Sequence, residues 1–322
     1  MMESPQVSWL LSTKNSMPYL RQTLESIASQ TYAHHNVLAW DDCSTDDTLD
    51  ELHRWIPHRI PGTIFAGKIS RLGPSLAFLV DKADTELCAR IDGDDINLPD
   101  RLQHQVDFLS MHPEVGVVGG QIQVIDEQGT VCDTWHYPTD DATIRWSSRW
   151  EPRVCHPAVL FRRSVVLAAG NYRDVKAEDA DLWQRLSYLT EFRNLPEFLI
   201  QYRRTESSAT GAIQDYLPMN RAQARHNASI LFPNIPDPAQ AMELWEATYP
   251  SQLHGPSKYR HIRQLEEAAV SFSRRVNKPR DYFQNTDLYR EQRFHLRRSF
   301  FERIGLMPLV RLRETLRAST HS

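Results

Sequence analysis

The chain has 322 residues, 41% hydrophobic and 24% charged, which is typical of a soluble globular protein with one large domain or a large domain plus an appendage. A net charge of −4 argues against nucleic acid as a partner, and four cysteines without a C-x-x-C pair argue against a zinc site or disulfide framework. No apolar run approaches the ~18 residues of a membrane span and no secretory signal is evident, so we expect a cytoplasmic protein, or one bound at most to a membrane surface.

Strands and helices alternate through the first hundred residues. Short apolar runs predict four buried strands, at residues 7–11, 36–40, 63–66 and 87–91. Apolar residues recurring on one face predict helices at 18–30, after a cap at Ser44 or Thr45, around 75–83, and from Pro99 onward. This alternation predicts an α/β fold with a mostly parallel, Rossmann-like sheet flanked by helices.

The pattern changes after Val115. Short strand signals then mix with helices, at 115–118, 121–125, 158–161 and 198–202, and from about Asp215 only helical signals remain. We predict one α/β domain over residues 1–210, divided into halves at about 1–115 and 116–210, and an all-helical C-terminal extension over 211–322.

Acidic residues follow two of the predicted strands, at the edge where open α/β sheets bind ligands. Asp92, Asp94 and Asp95 fall within four residues and would repel one another without a cation or full solvation. Oxygen ligands favour a hard divalent ion, Mg²⁺ or Mn²⁺, which could stabilise a diphosphate leaving group. The alternative is a solvated Asp-rich turn.

The second acidic pair, Asp41-Asp42, follows the second strand. A carboxylate at this edge can accept hydrogen bonds from a nucleotide base or a ribose. The alternative is that Asp42 and Ser44 merely cap the next helix. Neither a G-x-G-x-x-G fingerprint nor a complete P-loop is present to bind phosphates.

A further acidic group lies in the second half of the α/β domain, at the start of a predicted helix. Group transfer to a hydroxyl needs a base, and Asp179 could serve if it faces the side opposite the leaving phosphate. Asp179 could instead be a helix cap. His156 and Glu178 are candidates to line the same pocket on the acceptor side, although a lone histidine is more often structural.

Four motifs, in this order along the chain, resemble glycosyltransferase family 2. They are Val7–Asn15 with Gln30–Tyr32, Asp41–Thr48, Arg90–Asp95 with Pro99–Leu102 and Pro113–Gly116, and His156–Val159 with Ala177–Trp183 and Arg185. The similarity covers roughly residues 6–204. It implies a GT-A fold, an inverting mechanism and a nucleotide-diphosphate sugar donor, commonly a UDP-sugar.

The resemblance also implies a role for each matching residue. The base and ribose would be bound by Ser12, Thr13, Asn15 and Asp42, with Arg71 and Gly73 approaching the nucleotide or donor sugar. Asp92 would lie at the ribose and the metal, Asp94 would be the principal ligand of Mn²⁺ or Mg²⁺, and Asp95 would support both. Asp179 would be the general base. The acceptor would be a glycan or a lipid-linked saccharide of surface polysaccharide or glycolipid synthesis.

The C-terminal segment 288–322 contains eight arginines and three glutamates. One interpretation is an interfacial basic helix at a membrane, near a lipid-linked acceptor; the other is helices packed with their arginines outward.

Two other functions are alternatives to the transferase. A nucleotidyltransferase would need a Gly-rich loop after the first strand, and this loop is absent. A non-catalytic sugar-nucleotide module would lack the metal-binding carboxylates or the base, and candidates for both are present.

Overall fold

The structure, a computed structural model, describes residues 4–205, 221–249 and 259–303. These residues form two compact units. The first unit comprises residues 4–148 and 152–205, and the second comprises 149–151 together with 221–249 and 259–303. The domain boundary predicted near Thr210 lies outside the described residues.

The first unit is built on one nine-stranded sheet in the order β3-β2-β1-β4-β8-β6-β9-β5, with β7 paired to β6. The strands are β1 Val7–Thr13, β2 His35–Asp41, β3 Gly62–Ala66, β4 Leu87–Asp92, β5 Ile96–Asn97, β6 Val115–Ile125, β7 Val131–Trp135, β8 Leu160–Arg162 and β9 Glu191–Arg203. Strands β1 to β4 are parallel, whereas β8 is antiparallel to both of its neighbours.

Helices cover both faces of this sheet. The helices of the first unit are α1 Leu20–Ala28, α2 Thr48–Trp55, α3 Leu72–Lys82, α4 Arg101–Met111, α5 Asp141–Ser147, α6 Arg163–Ala168 and α7 Glu178–Leu186. Apolar residues of α1, α2 and α4 form one core with the sheet, and those of α3, α5, α6 and α7 form the other. The parallel strands are therefore buried on both sides and read as continuous apolar runs. The predicted α/β class is confirmed.

Strand register brings the polar residues of the sequence motifs to one edge. Ser12 is level with Asp92 across β1 and β4, and Thr13 is level with Asp41 across β1 and β2. Because these strands are parallel, their carboxyl ends meet there, and the strand order reverses between β1 and β4.

The structure corrects several predicted boundaries. The segments predicted at 115–118 and 121–125 are one strand, β6, and β9 begins seven residues before the predicted start at Phe198. Neither Ser44 nor Thr45 caps α2. That helix begins at Thr48, and Ser44 instead donates its backbone N–H to Asp41 Oδ2 over 3.1 Å. The polar groups of this loop connect the end of β2 to the end of β1. The helix therefore begins later in the sequence than a cap at Ser44 or Thr45 would place it.

The described part of the second unit is helical, as predicted. Its helices are α8 Arg221–Leu231, α9 Pro238–Ala247, α10 Tyr259–Arg275 and α11 Asp287–Arg303. Leu296 of α11 is fully buried and Gln292 donates a hydrogen bond to the Thr248 carbonyl, so one side of α11 packs within this unit. The rest of the basic segment, residues 304–322, lies outside the described residues. Among the described helices, none has the length and apolarity to cross a bilayer.

Candidate active site

Two loops at the carboxyl edge of the sheet are joined through Asn15. Its backbone N–H donates to Ser44 Oγ over 2.9 Å, and its Oδ1 accepts the Thr45 N–H over 2.8 Å. Asn15 has a positive φ of 49°, a conformation that asparagine tolerates better than most residues. The loop after β1 is thus fixed to the loop after β2.

Asp42 connects this region to the segment before α3. Its Oδ1 accepts the backbone N–H groups of Ile69 and Ser70 over 2.7 and 2.8 Å, and Lys14 Nζ lies 3.5 Å from Oδ2. Burial alone would raise the pKa of Asp42, but these hydrogen bonds and the Lys14 ammonium lower it. Asp42 therefore stays ionised. It does not cap α2, which disposes of that alternative.

The Asp92–Asp95 turn begins at the last residue of β4. Carboxylate oxygens of Asp92, Asp94 and Asp95 lie within 4.8 Å of one another. The turn approaches the β1 loop through Gly93, where an added Cβ would lie 2.8 Å from Ser16 Oγ and 3.3 Å from Thr13 Cγ2. Glycine at this position lets the acidic turn and the β1 loop share one crevice.

The charges of this turn are not balanced within it. Burial and the charge of Asp92 raise the pKa of Asp94 to about 6. Burial, with the charges of Asp92 and Asp94, raises the pKa of Asp95 well above its usual range. Asp95 Oδ2 is buried and has no hydrogen-bond partner among the described residues. Clustered oxygen ligands with an unpartnered buried oxygen fit a hard divalent cation.

A buried arginine lies directly beneath the turn. Arg90 is 2% exposed and its Nη2 forms an ion pair with Asp92 Oδ1. Burial opposes the charge of Arg90, but the neighbouring Asp92 carboxylate raises its pKa. The Nε and Nη1 atoms of Arg90 have no partner among the described residues. Arg90 is thus a permanent positive charge below the site.

The acceptor-side residues meet on the α7 side of this arginine. His156 Nε2 lies 2.9 Å from Tyr172 Oη, and His156 Nδ1 lies 3.9 Å from Glu178 Oε1, beyond hydrogen-bond range. Burial, with the charge of Arg90, holds the pKa of His156 well below its usual range, so the imidazole is neutral. His156 packs edge-on against Trp183. The structural interpretation of His156 therefore accounts for its contacts.

Two carboxylates begin α7. Burial and the charge of Asp179 raise the pKa of Glu178 to about 7. Burial also raises the pKa of Asp179, the Asp92 charge adding to this while the Ala180 N–H and Arg90 oppose it. The helix is capped by Ala177, in a left-handed conformation, without a side-chain hydrogen bond. Asp179 is therefore not the cap, and it is close enough to Asp92 for their charges to interact.

Arg71 and Gly73 border the same region. Arg71 Nη1 lies 2.8 Å from Asp174 Oδ1, and a Cβ on Gly73 would lie 2.4 Å from the Arg173 carbonyl oxygen. The segment from Ser70 to Gly73 therefore runs from Asp42 to the residues just before α7. The predicted site residues lie at the ends of β1, β2 and β4, in the short 3-10 turn that begins at His156, and at or just before the first turns of α3 and α7.

Sequence reasoning missed the roles of Arg90, Arg101, Tyr172 and Arg203. Arg101 donates to the carbonyls of Arg90 and Val159 over 2.8 and 3.1 Å, which joins β4 to the segment before β8. Arg203 donates from Nε to the Asp94 carbonyl over 2.9 Å. Arg90 and Arg101 stood within quoted motifs, but only their burial reveals what they contact.

Comparisons with known proteins identify the family of this chain. The family model described as "Glycosyl transferase family 2" matches residues 8–168. EpsE of Bacillus subtilis (strain 168) is 33% identical over 213 residues, which is 63% of this chain and 74% of that protein. The amylovoran biosynthesis glycosyltransferase AmsE of Erwinia amylovora is 31% identical over 197 residues, 60% of this chain and 73% of that protein.

Solved structures share the fold. TarS 1–349 of S. aureus, crystallised in complex with UDP-GlcNAc, has a TM-score of 0.58 and 17% identity, covering 93% of this chain and 92% of that one. The mannosyltransferase PcManGT of Pyrobaculum calidifontis, in complex with GDP-Man and Mn²⁺, has a TM-score of 0.54 and 17% identity, covering 92% and 88%. With its strand-end motifs at one edge of the sheet of a GT-A fold, the chain belongs to glycosyltransferase family 2 and is a glycosyl-transferring enzyme.

Proposed function

We propose that this protein is a metal-dependent, inverting hexosyltransferase that moves a sugar from a nucleoside-diphosphate donor to an acceptor hydroxyl. The observation that carries the proposal is the pairing of two carboxylate groups across one crevice. Three aspartates with oxygens within 4.8 Å lie at the end of β4, and the Glu178–Asp179 pair at the start of α7 is close enough for the Asp92 charge to raise both of its pKa values. The aspartate cluster is suited to binding a cation beside a leaving diphosphate, and the Glu178–Asp179 pair is suited to accepting the proton of the acceptor hydroxyl.

Mn²⁺ or Mg²⁺ would be held by Asp94 and Asp92, with Asp95 beside them. When bound, the ion would neutralise charge on the departing diphosphate. Asp179 would accept the proton of the acceptor hydroxyl. The bond between the sugar C1 and the phosphate oxygen breaks, the electron pair leaves with the diphosphate, and the acceptor oxygen forms the new bond to C1 from the opposite side.

A single displacement inverts the configuration at C1, and it needs one base and no protein nucleophile. Asp179 meets the requirement for a base because its raised pKa makes it a better proton acceptor than an ordinary aspartate. His156 is neutral, buried and paired with Tyr172, so we assign it to supporting the acceptor side of the pocket. Glu178, 16% exposed, would contact the sugars.

For the nucleotide we propose Ser12, Thr13, Asn15 and Asp42 on the base and ribose, with Asp92 also at the ribose. Arg71 and Gly73 border the donor sugar. UDP is the first candidate, because TarS 1–349 was crystallised with UDP-GlcNAc and a relative from Escherichia coli is named as a UDP-Gal-dependent transferase. GDP is the second, since PcManGT was crystallised with GDP-Man.

For the acceptor we propose a glycan or a lipid-linked saccharide in surface polysaccharide synthesis. AmsE is named for amylovoran biosynthesis, and the 24%-identical Escherichia coli relative is named for a diphosphoundecaprenol-linked acceptor. We propose a cytoplasmic enzyme, consistent with the four free cysteines, whose catalytic domain spans residues 1–210. Segment 288–322 is the candidate for peripheral membrane contact, and liposome sedimentation of the full chain against a chain ending at residue 303 would test its last 19 residues.

Calorimetric titration tests the proposal. UDP, GDP, dTDP and CDP would each be titrated with and without Mn²⁺ into the wild-type protein and into Asp94→Ala. We expect one nucleotide to bind in a metal-dependent way and the variant to lose that dependence. Binding of no nucleotide by a folded wild-type sample would refute the proposal and favour a non-catalytic module.

A further inference from the structure

We propose that Arg203 is the positioning residue of the cation site, holding the Asp92–Asp95 turn in the shape that brings its three carboxylates together. The inference rests on the proposed binding of a divalent cation by that turn. Arg203 is the last residue of β9, more than a hundred residues away along the chain. No motif singled it out as part of the site.

Arg203 holds the turn by both its backbone and its side chain. Its backbone N–H donates to Asp95 Oδ1 over 2.8 Å, and its Nε donates to the Asp94 carbonyl over 2.9 Å. The first contact orients a candidate ligand, and the second fixes the peptide group between two candidate ligands. Thr23 Oγ1 adds a hydrogen bond to the Asp95 carbonyl over 2.7 Å, so the main chain is held from both sides.

The guanidinium is itself immobilised by the surrounding structure. Nη1 donates to the carbonyls of Asp126 and Glu127 over 3.0 and 3.1 Å, and Nη2 donates to Gln22 Oε1 over 2.6 Å. The Cζ atom lies 4.4 Å from the centre of the Tyr19 ring, and the residue is 1% exposed. Arg203 thus links the acidic turn to α1 and to the turn after β6.

This geometry matters because the turn carries repulsion. Three nearby carboxylates favour a more open loop, and a spread of even about 1 Å between ligand oxygens weakens a divalent site. Only arginine can make these contacts together, because its planar fork donates in several fixed directions while lysine offers one compact ammonium. The charge of residue 203 alone is therefore insufficient.

The test compares Arg203→Lys and Arg203→Met with Arg204→Met. Arg204 is a matched control: it is the next residue, is exposed, and has its guanidinium 5.6 Å from the Trp135 ring. The main readout is Mn²⁺ affinity, measured from the electron paramagnetic resonance signal of free Mn²⁺. We expect at least a tenfold loss in both Arg203 variants and less than a twofold change in Arg204→Met.

A second variant guards against simple misfolding. Gln22→Leu removes one hydrogen-bond acceptor of the Arg203 guanidinium, and residue 22 is exposed. We expect a twofold to fivefold weaker Mn²⁺ affinity with an unchanged circular dichroism spectrum. In kinetics, the Arg203→Lys defect should appear as a raised KM for the donor that excess Mn²⁺ largely corrects, with kcat retained.

The outcomes separate this inference from the proposed function. Wild-type Mn²⁺ affinity in Arg203→Lys would overturn the positioning role and leave the metal site standing. Absence of Mn²⁺ binding by the wild-type protein would overturn both.

Discussion

Replacing Asp94 with asparagine should abolish the metal site and yet stabilise the metal-free protein. In the absence of metal the pKa of Asp94 is about 6, because burial and the Asp92 charge disfavour its ionised form. The difference from the usual value of 3.8 corresponds to about 3 kcal/mol, at about 1.36 kcal/mol for each pH unit. Relaxation around the mutated side chain reduces this, so we expect Asp94→Asn to gain about 1–3 kcal/mol at pH 7.5.

The pH dependence follows from the sign of the shift. Between pH 3.8 and about 6 the folded protein holds a proton on Asp94 that the unfolded chain has lost. Wild-type stability from this group therefore falls as pH rises through that window and is constant above it. Asparagine cannot titrate, so the advantage of the variant should be largest above pH 6 and should disappear near pH 3.8 or below.

Urea unfolding in EDTA, followed by tryptophan fluorescence, provides the measurement, with exposed Asp84→Asn as the control for loss of one charge. Adding Mn²⁺ at 100 times its dissociation constant should stabilise the wild type by about 2.7 kcal/mol and leave Asp94→Asn unchanged, so the advantage of the variant should shrink by that amount. Asp94→Asn could instead be less stable than the wild type in EDTA at pH 7.5. The assignment of Asp94 as a carboxylate whose ionised form is disfavoured until a cation binds would then be wrong.

Three further changes test other parts of the site and scaffold. Asp179→Asn should lower kcat by about 10²–10⁴-fold with UDP affinity unchanged, in steady-state and calorimetric assays, since it removes only the base. Glu51→Gln should lower the free energy of unfolding by about 1–2 kcal/mol at pH 7, measured by urea unfolding, because Glu51 pairs with Arg21 and Arg54, which lower its pKa to about 2. The difference in stability between variant and wild type should vanish as the pH falls from 4.5 towards 2. Gly73→Ala should lower stability by about 1–3 kcal/mol and raise the donor KM, because its Cβ would lie 2.4 Å from a backbone carbonyl oxygen.

The sequence predicts the parallel half of the fold well for a physical reason. Strands buried on both faces must be apolar along their whole length, so β1, β2 and β4 stand out between amphipathic helices. The exposed strand β7 and the two-residue strand β5 carry no such signal. They exist because β6 and β9 offer hydrogen-bonding edges, which is a property of the tertiary fold.

The site was predictable where its chemistry depends on adjacent residues. Asp92, Asp94 and Asp95 form a cluster that is visible in the sequence, and their joint cation-binding geometry follows from one turn. Arg90 and Arg203 were not predictable as members, because an arginine in a sequence is most often exposed. Their burial comes from folding β4 and β9 beside the same turn, and distances along the chain do not reveal it.

The charge balance of the crevice predicts an order of binding. Besides the ionised Asp42, the carboxylates of Asp92, Asp94, Asp95, Glu178 and Asp179 border it. Among the described residues the buried cations in contact with the acidic turn are Arg90 and Arg203. A diphosphate brings further negative charge. Without metal it would enter a site that already has an excess of negative charge, as the raised pKa values of Asp94 and Glu178 indicate.

A divalent cation removes that repulsion, so metal should bind first and the donor second. We expect nucleotide affinity to rise at least tenfold with saturating Mn²⁺ and Mn²⁺ affinity to rise by the same factor with saturating nucleotide, because coupling is reciprocal. Calorimetric titrations in both orders measure the two factors. Equal nucleotide affinity with and without Mn²⁺ would mean that the diphosphate is held away from the acidic turn, and that the carboxylates after β4 serve another purpose.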